Sequence, residues 1–235
     1  MFKYPLVVTI DTNIFDAAKY NLSDASTLRI LENHVKSGKI KVVLSDIVVQ
    51  ESKRHIAARV KEVCGIVNIA RNSALKVYNE HLISSIGMNE MFRIVESEDD
   101  IIAKEEKVFD DFLCAIDAEI LGTDLIDINS VLSDYFGAKP PFEESGKKKS
   151  EFPDAFIAQQ IRNRFGETET VVIVSNDKGF IRACRESENH LFFNSLGALY
   201  NAISKEDAAY DDTIAVIKEL QLRISAAVKE YIKGN

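Results

Sequence analysis

The chain has 235 residues, 46% of them hydrophobic and 28% charged, which is the composition of a soluble globular protein of one domain or a domain and a half. Its formal net charge of −8 argues against non-specific nucleic-acid binding, which normally uses a basic face. No apolar run approaches the roughly 20 residues that span a bilayer, and no apolar segment near the start would serve as a signal peptide. The three cysteines show no CxxC spacing, so neither a disulfide framework nor a zinc knuckle is expected. We therefore expect a cytoplasmic protein without a membrane partner.

Short apolar segments along the chain are predicted to be buried strands, at residues 7–10, 41–44, 171–174 and 191–193. Between the first two of them, residues 25–36 carry apolar side chains at helical spacing. Alternation of strand and helix favours an α/β fold with a mostly parallel sheet and helices on both faces.

The middle of the chain, residues 56–136, is predicted to be helical and to contain no strand. The expected helices cover residues 47–86, 99–121 and 128–136, and a polar loop over residues 137–152 follows them. We interpret residues 56–150 as a helical insertion and loop within a single domain of residues 1–235. The tail, residues 211–232, is predicted to be an amphipathic helix that packs onto the domain, with partner binding as the alternative.

Four acidic residues are predicted to lie at one edge of the sheet, where ligands bind in open parallel folds. Asp11 directly follows the first strand, and Asp177 comes three residues after Val174. Glu51 lies one to two turns into the helix after the second strand, and Asp154 opens another helix. Each alone has an ordinary explanation as a helix cap or a solvated helix position. Their combination, in this order, favours a shared site.

A cluster of four carboxylates is expected to bind a cation. Two carboxylates about 4 Å apart repel by roughly 4 kcal/mol at an effective dielectric constant near 20. Four of them would raise one another's pKa values or require a cation. Oxygen ligands without Cys or His suit Mg²⁺ or Mn²⁺, which can activate water and stabilise the charge that develops on an attacked phosphorus. The pattern therefore predicts hydrolysis of phosphodiester bonds.

The segments around these acids resemble the four motifs of PIN-domain nucleases. Val8-Thr-Ile-Asp11-Thr-Asn13-Ile-Phe resembles the family's first strand and its Asp-Thr-Asn, and Leu44-Ser-Asp-Ile-Val-Val-Gln-Glu51 is similar to its second strand and helix-borne Glu. Glu151-Phe-Pro-Asp154-Ala looks like the third acidic motif, and Val174-Ser-Asn-Asp177-Lys-Gly-Phe180 resembles the fourth. The resemblance covers roughly residues 5–55 and 150–200, and residues 147–155 look like the DUF4935-type branch found in bacteria.

The resemblance implies a Rossmann-like, three-layer α/β/α PIN fold and an Mg²⁺- or Mn²⁺-dependent endoribonuclease that prefers single strands. In that family's terms Asp11 and Asp177 would be core metal ligands, and Asp154 would complete the site or hold a second metal. Glu51 would bind a metal or orient a metal-bound water. Hydrogen-bonding support for the acids would come from Asn13, Ser175 and Asn176.

Basic residues near the predicted site are candidates for contact with substrate phosphates. Lys147, Lys148 and Lys149 directly precede the third motif, and Arg54 lies three residues beyond Glu51. A solvated charge run is the ordinary explanation of the lysines, and an ion pair is that of Arg54. A local basic spot in an acidic chain favours phosphate contact as the alternative. Glu151, one turn before Asp154, is a candidate to replace it as the third acid.

Other functions fit the sequence less well. A phosphatase of the haloacid dehalogenase type needs an acid at position 13, which is Asn, and no GxxxxGK[ST] segment marks a P-loop. The main alternative is a catalytically inactive PIN-like module that binds nucleic acid or protein. Glu51 and Asp154 are about a hundred residues apart, farther than in small PIN toxins. A toxin-like role, an inhibitor or antitoxin partner and a homo-oligomer therefore stay open, and RNA is favoured over DNA as the nucleic acid.

Overall fold

The computed structural model describes residues 2–77, 81, 85, 97–142, 151–166, 168–185 and 189–233, the last eight of these by their backbone alone. Its strands are β1 (Leu6–Ile10), β2 (Ile40–Ser45), β3 (Glu119–Leu121), β4 (Val171–Val174) and β5 (His190–Phe193). Its α-helices are α1 (Thr12–Ala17), α2 (Thr27–Lys36), α3 (Asp46–Val77), α4 (Glu98–Ala115), α5 (Ile128–Phe136), α6 (Phe152–Phe165), α7 (Lys178–Cys184) and α8 (Leu196–Lys233). A 3₁₀ turn, Thr123–Leu125, follows β3.

The strands form one parallel sheet in the order β3-β2-β1-β4-β5. In the centre, β1 pairs with β2 through Leu6 and Ile40, and with β4 through Val7 and Val171. All four residues of β4 are buried, because helices cover both faces of a parallel sheet. The predicted α/β fold and its four predicted strands are confirmed. Since all strands run the same way, their carboxyl ends share one edge of the sheet.

The middle of the chain contributes a strand, so the prediction of helices alone between residues 56 and 136 is wrong. The helix expected over 99–121 ends at Ala115, and Asp117 then takes a left-handed φ of 46°. The Ala118 N–H donates to the Leu113 carbonyl at 3.1 Å and closes the last turn. The chain then enters β3, which pairs with β2 through Glu119 and Val43. Helix 128–136 is confirmed, and the end of the helix expected over 47–86 lies outside the continuously described residues.

The last helix also differs from the expectation. It begins at Leu196, well before residue 211, and its first turns bury Leu199 and Ile203 against the domain. Farther along, Val216, Ile217, Leu220 and Ile224 are between 44% and 62% exposed. The expected packing of the tail onto the domain is therefore wrong for the side chains described, which end at residue 225. None of the described helices is both long enough and apolar enough to cross a membrane.

One buried amide fixes α6 at the carboxyl edge of the sheet. Gln160 is fully buried, and its Nε2 donates to Asp46 Oδ1 at 2.8 Å and to the Gly122 carbonyl at 3.0 Å. These bonds join α6 to the start of α3 and to the residue after β3. The first turn of α6, which carries Asp154, is thereby held beside the ends of the strands.

Candidate functional site

Asp11 stands at the end of the central strand and is only 7% exposed. It occupies the cap position of α1, yet its carboxylate makes no capping bond. Instead its Oδ2 accepts hydrogen bonds from Ser175 Oγ at 2.6 Å and from Asn13 Nδ2. Burial raises the pKa of Asp11 to about 6, although the Ser175 bond lowers it, and the charge of Asp177 raises it further. The backbone N–H groups of Thr12 and Asn13 lower it as well, so burial outweighs the compensation that the ionised form receives from the protein.

Ser175 connects the ends of β1 and β4. It is fully buried, and besides donating to Asp11 its hydroxyl accepts from Asn13 Nδ2 at 3.1 Å and from the Asp177 backbone N–H at 3.0 Å. The backbone N–H of Asn176 donates to Asn13 Oδ1 at 3.5 Å. Asn13 and Ser175 therefore hold Asp11 with their side chains, whereas Asn176 takes part through its backbone.

Asp177 has a local structural role that Asp11 lacks. It caps α7, and its Oδ1 accepts from the backbone N–H groups of Gly179 at 2.6 Å and Phe180 at 2.9 Å. A Cβ at position 179 would lie 3.1 Å from that oxygen, so glycine allows the close approach. Both capping bonds use Oδ1, and Oδ2 takes no part in them.

Glu51 lies on α3 and is bonded to the first motif. Its Oε2 accepts from Thr12 Oγ1 at 3.1 Å, and its side chain is 23% exposed. Arg54, one turn farther along, places a guanidinium nitrogen 3.7 Å from Glu51 Oε1 and is 71% exposed. The sequence prediction missed Thr12, although its position inside the Asp-Thr-Asn motif was the available signal.

Asp154 has its pKa raised by the negative charges of several neighbouring acids. Burial makes the largest contribution in raising its pKa to about 7, followed by the negative charges of Asp11, Asp177 and Glu51, and then of Glu151. Every one of these influences raises the value. The structure therefore brings the four acids of the sequence prediction close enough for three of them to act on the fourth.

The other basic residues near the site differ in their surroundings. His55 Nδ1 lies 2.8 Å from Asp16 Oδ2, and Arg59 Nη2 lies 3.2 Å from Asp16 Oδ1, so both pair with the end of α1. The predicted phosphate contacts Lys147, Lys148 and Lys149 lie outside the described residues. Of the four predicted contacts, only Arg54 can be placed, and it is beside Glu51.

The carboxylates fit a divalent cation by donor type and charge more than by preformed geometry. Among the described residues, no group of three or more His, Cys, Asp or Glu side chains is arranged to hold a metal ion. The donors are nevertheless all hard oxygens, and the raised pKa values of Asp11 and Asp154 mark negative charge that the protein does not balance. A buried side-chain oxygen of Glu151 also has no hydrogen-bond partner.

Comparison with known protein families identifies this region of the chain. A family model described as PIN domain matches residues 8–180, a span that includes all four acids and the residues bonded to them. No curated protein and no solved structure matches the chain.

Proposed function

The chain belongs to the PIN-domain family, whose members are usually nucleases, and from this premise we propose that it is a metal-dependent endonuclease acting on single-stranded RNA. The observation that carries the proposal is the raised pKa of Asp154, which is caused first by burial and then by the negative charges of Asp11, Asp177 and Glu51. Acids that raise one another's pKa destabilise the folded protein unless a cation offsets them. Such a cluster is well suited to the hydrolysis of phosphodiesters.

We propose that Asp11, Asp154 and Asp177 hold Mg²⁺ or Mn²⁺, with Glu51 as a fourth ligand or as the group that orients water. When bound, the cation supplies a water of lowered pKa and stabilises charge on the attacked phosphate. The chain's own residues restrict how the ligands move. Thr12 holds one Glu51 oxygen, and the α7 cap holds one oxygen of Asp177.

Arg54 is the proposed contact for the substrate's phosphate backbone. Its guanidinium is largely exposed and lies beside Glu51, so it can reach a ligand that approaches the acids. Further contacts with the phosphates of the nucleic acid are proposed for Lys147, Lys148 and Lys149. In a chain of net charge −8, local cations of this kind are needed to offset repulsion of the nucleic acid.

A binding module without catalysis is the second candidate. It is favoured by the observation that the described carboxylates do not form a preformed metal-ligand group. Such a module would bind nucleic acid without needing a divalent ion, and loss of an acid would not weaken binding.

The test is cleavage of end-labelled single-stranded RNA, and of DNA of the same sequence, with Mn²⁺, Mg²⁺ or EDTA. Wild type is compared with Asp11→Asn and with a control, Asp99→Asn, which removes an exposed acid from the first turn of α4. We expect internal cuts in RNA that need the metal, disappear in Asp11→Asn and persist in the control. Preferred cutting of DNA would overturn the RNA assignment alone. Metal-independent binding without any cutting would overturn the nuclease and support the binding module.

A further inference from the structure

The middle of α8 carries a row of apolar side chains that face solvent. Hydrogen bonds join the domain to α8 as far as Asp207, whose carboxylate accepts from Lys39 Nζ at 2.5 Å and from Tyr4 Oη at 3.3 Å. Beyond this point apolar residues follow one another at three- and four-residue spacing, which places them on one side of the helix. We call this row the α8 stripe, and it consists of Tyr210, Ile214, Ile217, Leu220 and Ile224. Ile214 is half-buried, and the other four side chains are between 44% and 62% exposed.

An amphipathic helix of this kind gains most of its stability from a surface that covers its apolar side. Helices shorter than about 12–15 residues are marginal in water on their own, because tertiary packing supplies most of the stability of helices in proteins. At a rise of about 1.5 Å per residue, the α8 stripe runs for about 21 Å along the helix. Contiguous exposed apolar surface of this extent marks a site of protein association.

The spacing within the α8 stripe points to a second copy of the chain as the partner. Successive members are four, three, three and four residues apart, so the stripe reads the same in both directions from Ile217. If two copies of α8 lie antiparallel with Ile217 opposite Ile217, then Tyr210 lies level with Ile224 of the second copy. In the same arrangement Ile214 lies level with Leu220. A two-fold interface needs this self-complementarity, in which one residue meets a second and the second meets the first.

The charges along α8 favour the antiparallel direction. Exposed charged residues lie on both sides of Ile217, with Asp211 and Asp212 before it and with Lys218, Glu219 and Arg223 after it. Residues 210–216 therefore carry a charge of −2, and residues 218–224 carry a charge of +1. Antiparallel helices bring the negative segment of each copy beside the positive segment of the other, whereas parallel helices would align the two negative segments.

We propose that the chain forms a two-fold symmetric dimer through the α8 stripe, with the two helices antiparallel about Ile217. The dimer goes beyond the proposed nuclease and does not depend on it. The contact covers about four turns of helix, which is less than the roughly 800 Å² per partner of a standard interface. We therefore expect a dissociation constant in the micromolar range.

The test is sedimentation velocity of the full chain in EDTA, at concentrations from about 1 to about 100 μM. Wild type is compared with Ile217→Glu and with a matched control, Leu222→Glu. Leu222 is 72% exposed on the same helix but lies five residues from Ile217, and therefore on the opposite side. We expect wild type to pass from monomer to dimer and the control to match it. Ile217→Glu places two carboxylates opposite each other and should weaken the dimer at least about thirtyfold, as loss of a central interface residue does. Circular dichroism checks that both variants keep their helix content.

Disulfide cross-linking tests the direction of the two helices. The variants Tyr210→Cys and Ile224→Cys are made in a Cys114→Ser background, because Cys114 is exposed. In the antiparallel dimer a mixture of the two variants should cross-link on oxidation, since a disulfide requires Cα atoms within about 7 Å of each other. Each variant alone should stay uncross-linked.

Three results would overturn the proposal. A wild type that stays monomeric at every concentration would exclude the dimer, and a dimer that withstands Ile217→Glu would exclude the α8 stripe as its interface. Cross-linking of each cysteine variant with itself would exclude the antiparallel arrangement. None of these results bears on the nuclease, which is tested separately by RNA cleavage with Asp11→Asn.

Discussion

The ends of the two neighbouring central strands offer a direct comparison. After β1 and after β4 the chain places an aspartate at the start of a helix, Asp11 before α1 and Asp177 before α7. Asp11 is buried, makes no cap and has its pKa raised to about 6. Asp177 is exposed and caps its helix with Oδ1. Two aspartates at similar sequence positions therefore differ in their burial and in whether they cap the following helix.

The difference arises from the neighbours of each aspartate. Beside Asp177, Gly179 lets the backbone close onto the carboxylate, so the local helix uses it. Beside Asp11, the hydroxyl of Ser175 and the amide of Asn13 occupy the carboxylate instead. A strand followed by Asp predicts where an acid lies, whereas its neighbours determine whether the carboxylate caps the helix or is held by side chains at the strand end.

Asp11→Asn should have the largest effect, because it removes the negative charge of a buried carboxylate. The pKa of Asp11 rises from 3.8 to about 6, and each unit corresponds to about 1.4 kcal/mol. In EDTA at pH 7.5 we expect the variant to be more stable than wild type by up to about 3 kcal/mol. Metal-dependent cleavage should fall more than about a hundredfold, beyond the effect typical of groups around a ligand. Chemical denaturation and the cleavage assay measure the two quantities, and a variant less stable than wild type would contradict the account.

Ser175→Ala should have the next largest effect, since it breaks the connection between the two strand ends. It removes a donor to Asp11 and the acceptor of the Asp177 N–H, and an unsatisfied buried group costs about 1–3 kcal/mol. The pKa of Asp11 should rise further, because the Ser175 bond lowers it. We therefore expect lower stability by urea denaturation and a pH–rate profile moved to higher pH. A profile that does not move would show that the hydroxyl acts on the fold alone.

Asp177→Asn and Asp177→Ala separate the capping role from the charge. Asn caps about as well as Asp, whereas Ala costs about 1 kcal/mol. For a chain of this size that corresponds to about 2–4 °C in the unfolding temperature. We expect both variants to lose metal-dependent cleavage and only the Ala variant to unfold at a lower temperature. Equal unfolding temperatures would mean that the cap contributes nothing measurable.

The sequence predicted the parts of the fold that follow from apolar runs. Buried strands such as β4 are continuously apolar, and each leads into a helix, so both the sheet and the edge bearing the acids could be foreseen. Strand β3 could not be foreseen, because it has only three residues and because the helix before it is ended by Asp117, without a glycine to signal the end. The early start of α8 was missed for a related reason, since Gly197 lies inside its first turn and usually indicates a loop.

The positions of the four acids relative to the strands could be predicted, but the hydrogen bonds of the candidate site could not. The order of Asp11, Glu51, Asp154 and Asp177 indicated one edge of the sheet. The Thr12–Glu51 bond joins residues 39 apart and depends on how α3 packs against the start of α1. Whether Asp11 or Asp177 caps its helix depends on the groups that surround each carboxylate in the fold, which sequence periodicity does not specify.

We propose that the acids form a single charge cluster that a divalent cation offsets. The direct measurement is the unfolding temperature of wild type and Asp154→Asn at pH 5.5 and 8, with EDTA and with Mn²⁺. The pKa values of Asp11 and Asp154, about 6 and about 7, are raised above the ordinary 3.8. The stability that these residues contribute is fully present below pH 3.8 and is lost progressively as the pH rises from there through 6 and 7. The lowered pKa of His34, caused by burial and the charge of Lys39, acts in the opposite direction but equally in both proteins, and so cancels from their difference.

In EDTA we predict that wild type loses more stability than Asp154→Asn between pH 5.5 and 8, by more than about 3 °C in the unfolding temperature. Mn²⁺ should restore wild type at pH 8 and have little effect at pH 5.5, because cation ligands must be deprotonated. Parallel pH curves for the two proteins, unaffected by Mn²⁺, would contradict the claim that the four acids act as one site.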